Sequence, residues 1–179
     1  MARITKKSMY TPVAQHLYHL EHVATGLLAA VDPQESENGA LLQLSAQPDV
    51  WTLEAASGSA FLVRNQRTGK LLDVIYGSVQ PGAWTHQWEE AATASQQWIV
   101  KQAGEDSCRI LTAQEECCLV PAADGLHLQL APVSEDPAQL WRLKDQTPAP
   151  QPAPKKAPAK SKKTPAKKPA SRTTRTKKA

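Results

Sequence analysis

The sequence of 179 residues lacks several features that mark common protein classes. It contains no apolar run that approaches the roughly 18 residues of a membrane-spanning helix. Its three cysteines, Cys108, Cys117 and Cys118, are an odd number in one short segment, which is not a plausible disulfide framework. No apolar stretch follows the basic N-terminus, so we expect no signal peptide. These absences predict a protein without membrane partners, with reduced thiols and a cytoplasmic location.

Acidic residues are absent from the C-terminal segment 146–179, which holds 11 of the 21 Lys and Arg residues. Residues 1–145 hold the other ten basic residues and all 17 Asp and Glu, a net charge of −7. The overall net charge of +4 therefore averages an acidic domain and a basic tail. This division excludes a uniformly basic nucleic-acid-binding fold.

The basic tail also lacks every large apolar residue and contains seven of the 14 prolines. Because it cannot bury apolar surface, the composition predicts disorder over 146–179. The tail resembles the Lys/Ala/Pro-rich tails of linker histones and histone-like bacterial proteins, which implies non-specific binding of nucleic acid or another polyanion. Alternatively, it folds back on its own acidic domain. The candidate polyanion-binding residues are Lys155, Lys156, Lys160, Lys162, Lys163, Lys167, Lys168, Arg172, Arg175, Lys177 and Lys178.

The segment before the tail contains three repeats. Thr25-Gly26 recurs 43 residues later as Thr68-Gly69, and Trp98 recurs 43 residues later as Trp141. Trp51 and Trp98 are 47 residues apart, which indicates one short insertion. Short alternating apolar runs between turn-forming residues are typical of β-strands, and no long amphipathic helix interrupts them. The pattern predicts an all-β domain.

The repeats share a short tryptophan motif. It reads Gln96-Gln97-Trp98 in the second repeat, Gln139-Leu140-Trp141 in the third and, in a degenerate form, Asp49-Val50-Trp51 in the first. This pattern resembles the Gln-x-Trp signature of ricin B-type lectin domains, which implies a β-trefoil of three four-stranded lobes with these tryptophans in its core. The predicted organisation is a flexible N-terminus at 1–9, the trefoil at 10–145 and the tail at 146–179.

The same resemblance implies where a sugar would bind: an acidic residue, an aromatic platform and polar groups around the Gln-x-Trp motif. A carboxylate accepts hydrogen bonds from neighbouring hydroxyls, and an aromatic ring covers the apolar face of a sugar. Ala30 and Ser45 replace the acid and the platform in the first repeat, as do Val120 and Ala131 in the third. The candidate carbohydrate-binding residues therefore all lie in the second repeat: Asp73, His86, Trp88, Ser95 and Gln96.

Two departures from the family pattern bear on this site, because the family often has Gln where this chain has His86 and Asn where it has Ser95. The alternative interpretation is that Asp73 caps a turn and Trp88 makes an exposed contact. A single site predicts weak binding, near millimolar for one sugar.

Other motifs give little support for chemistry. His16, His19 and His22 are spaced by three, but strand alternation places His19 on the opposite face from the other two, so we predict no metal site. The chain has no nucleophile elbow, phosphate loop or His-Glu-x-x-His motif, so we predict no catalysis and no cofactor.

The sequence thus predicts a lectin-like protein whose tail binds nucleic acid or another polyanion and whose trefoil binds a glycan or small polar ligand. One alternative is a nucleoid- or chromatin-associated adaptor whose trefoil binds a protein. Another is the binding subunit of a toxin-like system.

Overall fold

The computed structural model describes residues 12–148, which contain twelve β-strands and three short 3-10 turns. The predicted N-terminal segment 1–9 and nearly all of the tail lie outside the described residues. The 3-10 turns are Ile75–Gly77, Ala94–Gln96 and Pro137–Gln139. The strands are β1 (Leu17–His22), β2 (Leu28–Val31), β3 (Leu42–Ser45), β4 (Trp51–Ala55), β5 (Phe61–Asn65), β6 (Leu71–Val74), β7 (Thr85–Trp88), β8 (Trp98–Gln102), β9 (Cys108–Thr112), β10 (Cys117–Pro121), β11 (Leu128–Pro132) and β12 (Trp141–Asp145).

Six of the strands close into a barrel. Each strand pairs antiparallel with the next in the order β1, β4, β5, β8, β9 and β12, and β12 pairs with β1 again. Three of these registers are equally long: Trp51↔Asn65 to Ala55↔Phe61, Trp98↔Thr112 to Gln102↔Cys108 and Tyr18↔Asp145 to His22↔Trp141. A closed barrel leaves none of these six strands with an unpaired edge.

The other six strands form three hairpins, β2–β3, β6–β7 and β10–β11, which meet one another at one end of the barrel. The contacts between hairpins repeat in each lobe. The backbone N–H groups of Gln87, Leu130 and Leu44 donate to the carbonyls of Ala40, Ala83 and Leu126, at 2.9, 2.8 and 2.7 Å. Three lobes of four strands with this threefold relation are the β-trefoil that the sequence predicted, and the all-β class is confirmed.

Three tryptophans form corresponding parts of the core. Trp51, Trp98 and Trp141 are fully buried, and each indole N–H donates to a backbone carbonyl of the β2, β6 or β10 strand of its own lobe. The acceptors are Ala29, Leu72 and Leu119, at 3.0, 3.0 and 2.8 Å. The indole therefore fills the barrel with its ring and keeps its single donor satisfied. The predicted structural role of these tryptophans is confirmed.

The two ends of the described chain lie side by side. β1 pairs with β12 from Tyr18↔Asp145 to His22↔Trp141. The backbone contacts continue two residues further, because Gln146 N–H donates to Leu17 O at 2.7 Å and Leu17 N–H donates to the Thr147 hydroxyl at 2.9 Å. Ordered contacts therefore pass the predicted domain boundary at residue 145 and reach Thr147.

The histidines and cysteines that the sequence singled out lie in separate surroundings. His16 contacts Asp145 at 2.8 Å, whereas His22 is buried between the Thr25 hydroxyl and the Ala138 carbonyl, each at 3.0 Å. All three cysteines are buried, and burial raises the pKa of Cys118 to about 11, which keeps it a thiol at neutral pH. Within residues 12–148, no helix is long and apolar enough to cross a membrane.

Candidate functional site

A cleft of about 460 Å³ opens on the second lobe, between the loop that joins β6 to β7 and the loop that follows β7. Four of the five predicted carbohydrate-binding residues line it: Asp73, His86, Trp88 and Ser95. The fifth, Gln96, is fully buried beneath the cleft and is not among its lining residues. The structure therefore brings the predicted residues together but gives Gln96 no surface for direct contact with a ligand.

Strand pairing fixes the polar floor of the cleft. Asp73 lies on β6 directly opposite His86 on β7, and both residues line the cleft although each is more than nine-tenths buried. His86 Nε2 lies 3.9 Å from Asp73 Oδ2, which is beyond hydrogen-bond distance. The two side chains therefore do not use up their hydrogen-bonding capacity on each other.

The Asp73 carboxylate is oriented by two hydrogen bonds, one to each oxygen. Oδ1 accepts from the backbone N–H of Val74 at 2.7 Å, and Oδ2 accepts from Gln96 Nε2 at 3.0 Å. Each carboxylate oxygen has about two acceptor positions, so each keeps one for a ligand. Gln96, the first Gln of the Gln-x-Trp motif, therefore helps to hold the Asp73 carboxylate in place.

An aromatic surface stands beside this carboxylate. Trp88 is 36% exposed, and the His86 ring stacks on it with a centroid distance of 5.2 Å and an interplanar angle of 24°. A β-carbon on Gly39, from the neighbouring first lobe, would lie 3.8 Å from the far edge of the indole. The ring is therefore supported by His86 and approached closely by the backbone of another lobe, while part of its surface remains open to the cleft.

His86 is a neutral donor or acceptor at neutral pH. Burial lowers the pKa of its imidazole below the ordinary value, and the negative charge of Asp73 opposes part of that effect. A neutral imidazole can both donate and accept a hydrogen bond, as an amide does. His86 thus retains the bonding capacity of the Gln that the resembled family often has at this position.

The second wall of the cleft is the segment 89–95, and several contacts fix its path. Gln96 joins its two ends, because Oε1 accepts from Ala91 N–H at 2.9 Å and Nε2 donates to Glu89 O at 2.8 Å. Arg64 holds the outer side through Glu90, at 2.7 Å. At the inner side the Thr93 and Ser95 hydroxyls lie 2.9 Å apart. The wall therefore presents two hydroxyls to the cleft from a well-anchored loop.

Two contributors to the cleft could not be assigned from the repeat alignment. Tyr76 lies in the loop after Asp73, is 97% exposed and lines the cleft. Gly39 belongs to the first lobe and reaches the site only because the hairpins meet at the barrel end. An aromatic followed by glycine in a turn, Tyr76-Gly77, was the only signal in the sequence, and nothing local pointed to Gly39.

Among residues 12–148, the first and third lobes lack the carboxylate and the aromatic platform of this site. In the first lobe Ala30 is buried where Asp73 stands, and Asp49 at the Gln96 position accepts from Arg67 Nε at 3.0 Å. In the third lobe Val120 packs in a small apolar cluster, with Ala131 against it. The predicted polyanion-binding residues of the tail lie outside the described residues.

Comparison with known proteins identifies the family of this fold. Residues 8–88 and 47–123 match the family described as "Ricin-type beta-trefoil lectin domain-like". The comparison with curated proteins finds no match.

Solved structures share the fold at low sequence identity. The designed threefold symmetric protein ThreeFoil is 21% identical with a TM-score of 0.66, over 71% of this chain and 96% of that protein. An exo-β-1,3-galactanase from Clostridium thermocellum is 20% identical with a TM-score of 0.67, over 75% of this chain but only 31% of the enzyme. A Polyporus squamosus lectin bound to a sialylated epitope is 14% identical with a TM-score of 0.62, over 75% of this chain and 50% of the lectin. On the family match, which covers more than half of its residues, this chain belongs to the ricin-type β-trefoil lectin domain-like family.

Proposed function

We propose that the protein is a non-catalytic carbohydrate-binding protein and that the cleft of the second lobe holds its sugar. The observation that carries the proposal is the Asp73 carboxylate beside the open Trp88 ring. Each oxygen of Asp73 receives one hydrogen bond from the protein, which leaves acceptor positions for two neighbouring hydroxyls of one sugar. The indole would cover the apolar C–H face of that sugar.

The charges at the cleft favour a neutral sugar. Of the described residues that line it, Asp73 is the only acidic one, and neither Lys nor Arg is present. The nearby guanidinium of Arg64 is engaged by Glu54 and Glu90, with donor–acceptor distances of 2.7 to 2.9 Å. A carboxylated sugar would meet the Asp73 charge without a compensating cation. We therefore expect neutral sugars to bind more tightly than sialic or uronic acids.

The affinity of one such cleft should be weak. At about 0.3 kcal/mol per heavy atom, a sugar of about 12 heavy atoms gains roughly 4 kcal/mol, which corresponds to a Kd near 1 mM. The first and third lobes offer no second copy of the site, so avidity would have to come from another part of the protein or from clustering of several molecules.

The test is a titration of the full chain with galactose, lactose, N-acetylgalactosamine and xylose, followed by tryptophan fluorescence and calorimetry. We expect at least one sugar to saturate near millimolar and Asp73→Asn to weaken it by about 100-fold, because hydrogen bonds to a charged group are worth about 1.5–3 kcal/mol each. Gln43→Ala is a control outside the cleft, since Gln43 lies opposite Ala30 in the hairpin of the first lobe and does not line the cleft.

A folded chain that shows no saturable response to any neutral sugar would overturn the carbohydrate proposal. Equal binding by wild type and Asp73→Asn would place the sugar elsewhere. In the first case the adaptor function, with a protein ligand for the trefoil, becomes the better account.

A second function is proposed for the tail, on the observation that residues 146–179 carry 11 cations and no acid. We propose that these cations bind nucleic acid or another polyanion through phosphate contacts and without sequence readout, because the segment has no aromatic side chain to stack on bases. The test is fluorescence anisotropy with a labelled DNA duplex at several salt concentrations. The full chain should bind with a log–log salt slope of up to about −0.9 per phosphate contact.

The control for the tail is the full chain with its 11 Lys and Arg residues from Lys155 to Lys178 replaced by Gln. Loss of DNA binding with unchanged sugar binding would support two separate functions. Retention of DNA binding by that variant would overturn the role of the tail.

A further inference from the structure

Tyr76 is exposed to an unusual degree. Its side chain is 97% exposed, whereas the other exposed large hydrophobic residues of the described chain range from 36% to 49%. A phenol ring held in water forgoes the burial that stabilises most aromatic side chains. The fold itself therefore gains little from an aromatic residue at this position.

The backbone of Tyr76 is also strained. Its φ of 56° and ψ of 13° lie in the left-handed region, which is costly for a residue with a bulky side chain. Glycine adopts this conformation readily, and Gly77, the next residue, also has a positive φ of 65°. Since the turn needs only backbone freedom here, the tyrosine side chain is not explained by the turn. Strained residues of this kind cluster at functional sites.

The strain is concentrated at the cleft. Four described non-glycine residues have positive φ, and two of them, Tyr76 and Ala92, belong to its two opposing loops. The loops come close together, because a β-carbon on Gly77 would lie 3.7 Å from Ser95 Oγ. The backbone N–H of Ile75 donates to Trp84 O at 3.0 Å and ties the Tyr76 loop to its hairpin. The turn thus places Tyr76 at the outer margin of a fixed cleft.

We propose that Tyr76 is a second aromatic contact for the ligand, and that it recognises the sugar unit next to the one on Trp88. This inference rests on the proposed carbohydrate function of the cleft. Asp73 and His86 are each less than a tenth exposed and form the floor, so the first sugar unit lies deep against them and Trp88. A fully exposed ring at the margin contacts the part of a ligand that projects outward. The favoured ligands are therefore neutral saccharides of two or more units.

The experiment compares three matched pairs of sugars by calorimetry on the full chain: galactose with lactose, xylose with xylobiose, and N-acetylglucosamine with chitobiose. For the pair that binds, we expect the disaccharide to bind more tightly than its monosaccharide. Tyr76→Gly should lower the disaccharide affinity about five- to tenfold, the loss of one aromatic contact, and change the monosaccharide affinity less than about twofold. Tyr76→Phe should retain the preference for the disaccharide.

A stability measurement separates recognition from a structural role. Glycine relieves the left-handed strain, so Tyr76→Gly should leave the thermal unfolding midpoint unchanged or raise it. Gln15→Gly is the matched control, because Gln15 also has a positive φ, 66°, and does not line the cleft. It should share the effect on the midpoint but not the effect on sugar affinity.

The outcomes distinguish this inference from the function on which it rests. Suppose that wild type binds a sugar and that this binding depends on Asp73 as expected. If Tyr76→Gly then binds the disaccharide equally well, the proposed role of Tyr76 is wrong, whereas the proposed function of the cleft is retained. If wild type binds none of the six sugars, the function of the cleft fails and the role of Tyr76 fails with it. A lower midpoint in Tyr76→Gly would make the tyrosine structural.

Discussion

The second lobe differs from the first and third in its surface and hardly at all in its core. All three lobes bury one tryptophan whose indole N–H bonds a backbone carbonyl, and all three join a hairpin to the barrel end. Only the second combines a carboxylate, an exposed aromatic platform and two long loops. The core that repeats in all three lobes can therefore carry a surface site, but it does not determine which lobe has one.

Loop length explains part of this difference. The hairpin loop has ten residues in the first and second lobes, at 32–41 and 75–84, but six in the third, at 122–127. The segment between the hairpin and the tryptophan strand has nine residues in the second lobe, at 89–97, but five in the first, at 46–50. Since the cleft is formed between these two loops, the first lobe lacks one wall and the third lacks much of the other.

Polar groups inside the first lobe are already satisfied by the protein. Asp49 is buried and accepts hydrogen bonds from Val31 N–H, Asn65 Nδ2 and Arg67 Nε at 2.8 to 3.0 Å. Arg67 also donates to the carbonyl of Glu35 at 2.9 Å. A carboxylate that is saturated by internal partners strengthens the fold and offers little to a ligand. The same chemical group therefore serves stability in one lobe and an open site in another.

The largest expected effect tests the equivalence of the three cores. Trp51→Ala, Trp98→Ala and Trp141→Ala should each lower the free energy of unfolding by about 3–5 kcal/mol, because each removes a fully buried indole and leaves a cavity. Urea denaturation followed by circular dichroism measures this. A loss below about 1 kcal/mol at any one position would show that the lobes do not share the core equally.

The next largest effect distinguishes the partly exposed Trp88 from the three buried tryptophans of the core. Trp88→Ala should lower stability far less than the core substitutions, because the ring is 36% exposed. If Trp88 covers the sugar as proposed, the same substitution should weaken sugar binding at least about tenfold. Trp84→Ala is matched to it, since Trp84 is also 36% exposed but packs at a tilt against His127, with ring centroids 5.0 Å apart, and does not line the cleft. Calorimetry and urea denaturation are run on both. Equal loss of sugar affinity in the two variants would contradict the assignment of Trp88.

The smallest effect concerns pH. Burial lowers the pKa of His86 below its ordinary value of 6.5, so the imidazole stays neutral at pH 7 and gains its proton only at lower pH. Protonation would place a cation 3.9 Å from Asp73 Oδ2, where it competes with sugar hydroxyls for that oxygen. Sugar affinity should therefore fall as the pH drops below 6.5 toward the lowered pKa of His86, and it should recover on return to neutral pH.

The matched variant for this pH dependence is His86→Gln, which keeps hydrogen-bonding capacity and cannot titrate. Its affinity profile should be flat over the pH range in which the wild-type affinity falls. The native state must be checked at each pH, because a lowered histidine pKa also means that stability falls as the pH drops below 6.5 toward the lower folded-state pKa. A wild-type profile that is flat over a folded protein would contradict the competition for Asp73.

Much of this architecture could be predicted from the sequence. The spacing of Trp51, Trp98 and Trp141 gave three repeats, and the alternating runs gave strands, because both patterns depend on local periodicity and on which residues are buried. The offset of 43 residues makes Ala30 equivalent to Asp73 and Gln43 equivalent to His86, and the structure shows the same pairing in both hairpins. Aligning the repeats therefore predicts that the hairpins share one register, whereas the register itself comes from the structure.

The accessibility of each site residue could not be predicted in the same way. Gln96 was expected beside the sugar, yet it is fully buried and holds Asp73 and the loop 89–95. Tyr76 was not singled out, because its position relative to the cleft depends on a left-handed turn. The exposure of a side chain depends on loop conformation and on the elements packed around it. The periodicity of a sequence carries no information about either.

The sequence by itself determined the all-β class, the three repeats, the buried tryptophans and the restriction of an acidic residue with an aromatic platform to the second repeat. These features follow from residue type and spacing alone. Only the tertiary structure decided that two loops of sufficient length enclose a cleft there, that Gly39 of the first lobe approaches Trp88, and that Tyr76 stands at the margin. The physical reason is that a binding cleft is a relation between segments distant in sequence, and closure of the barrel brings those segments together.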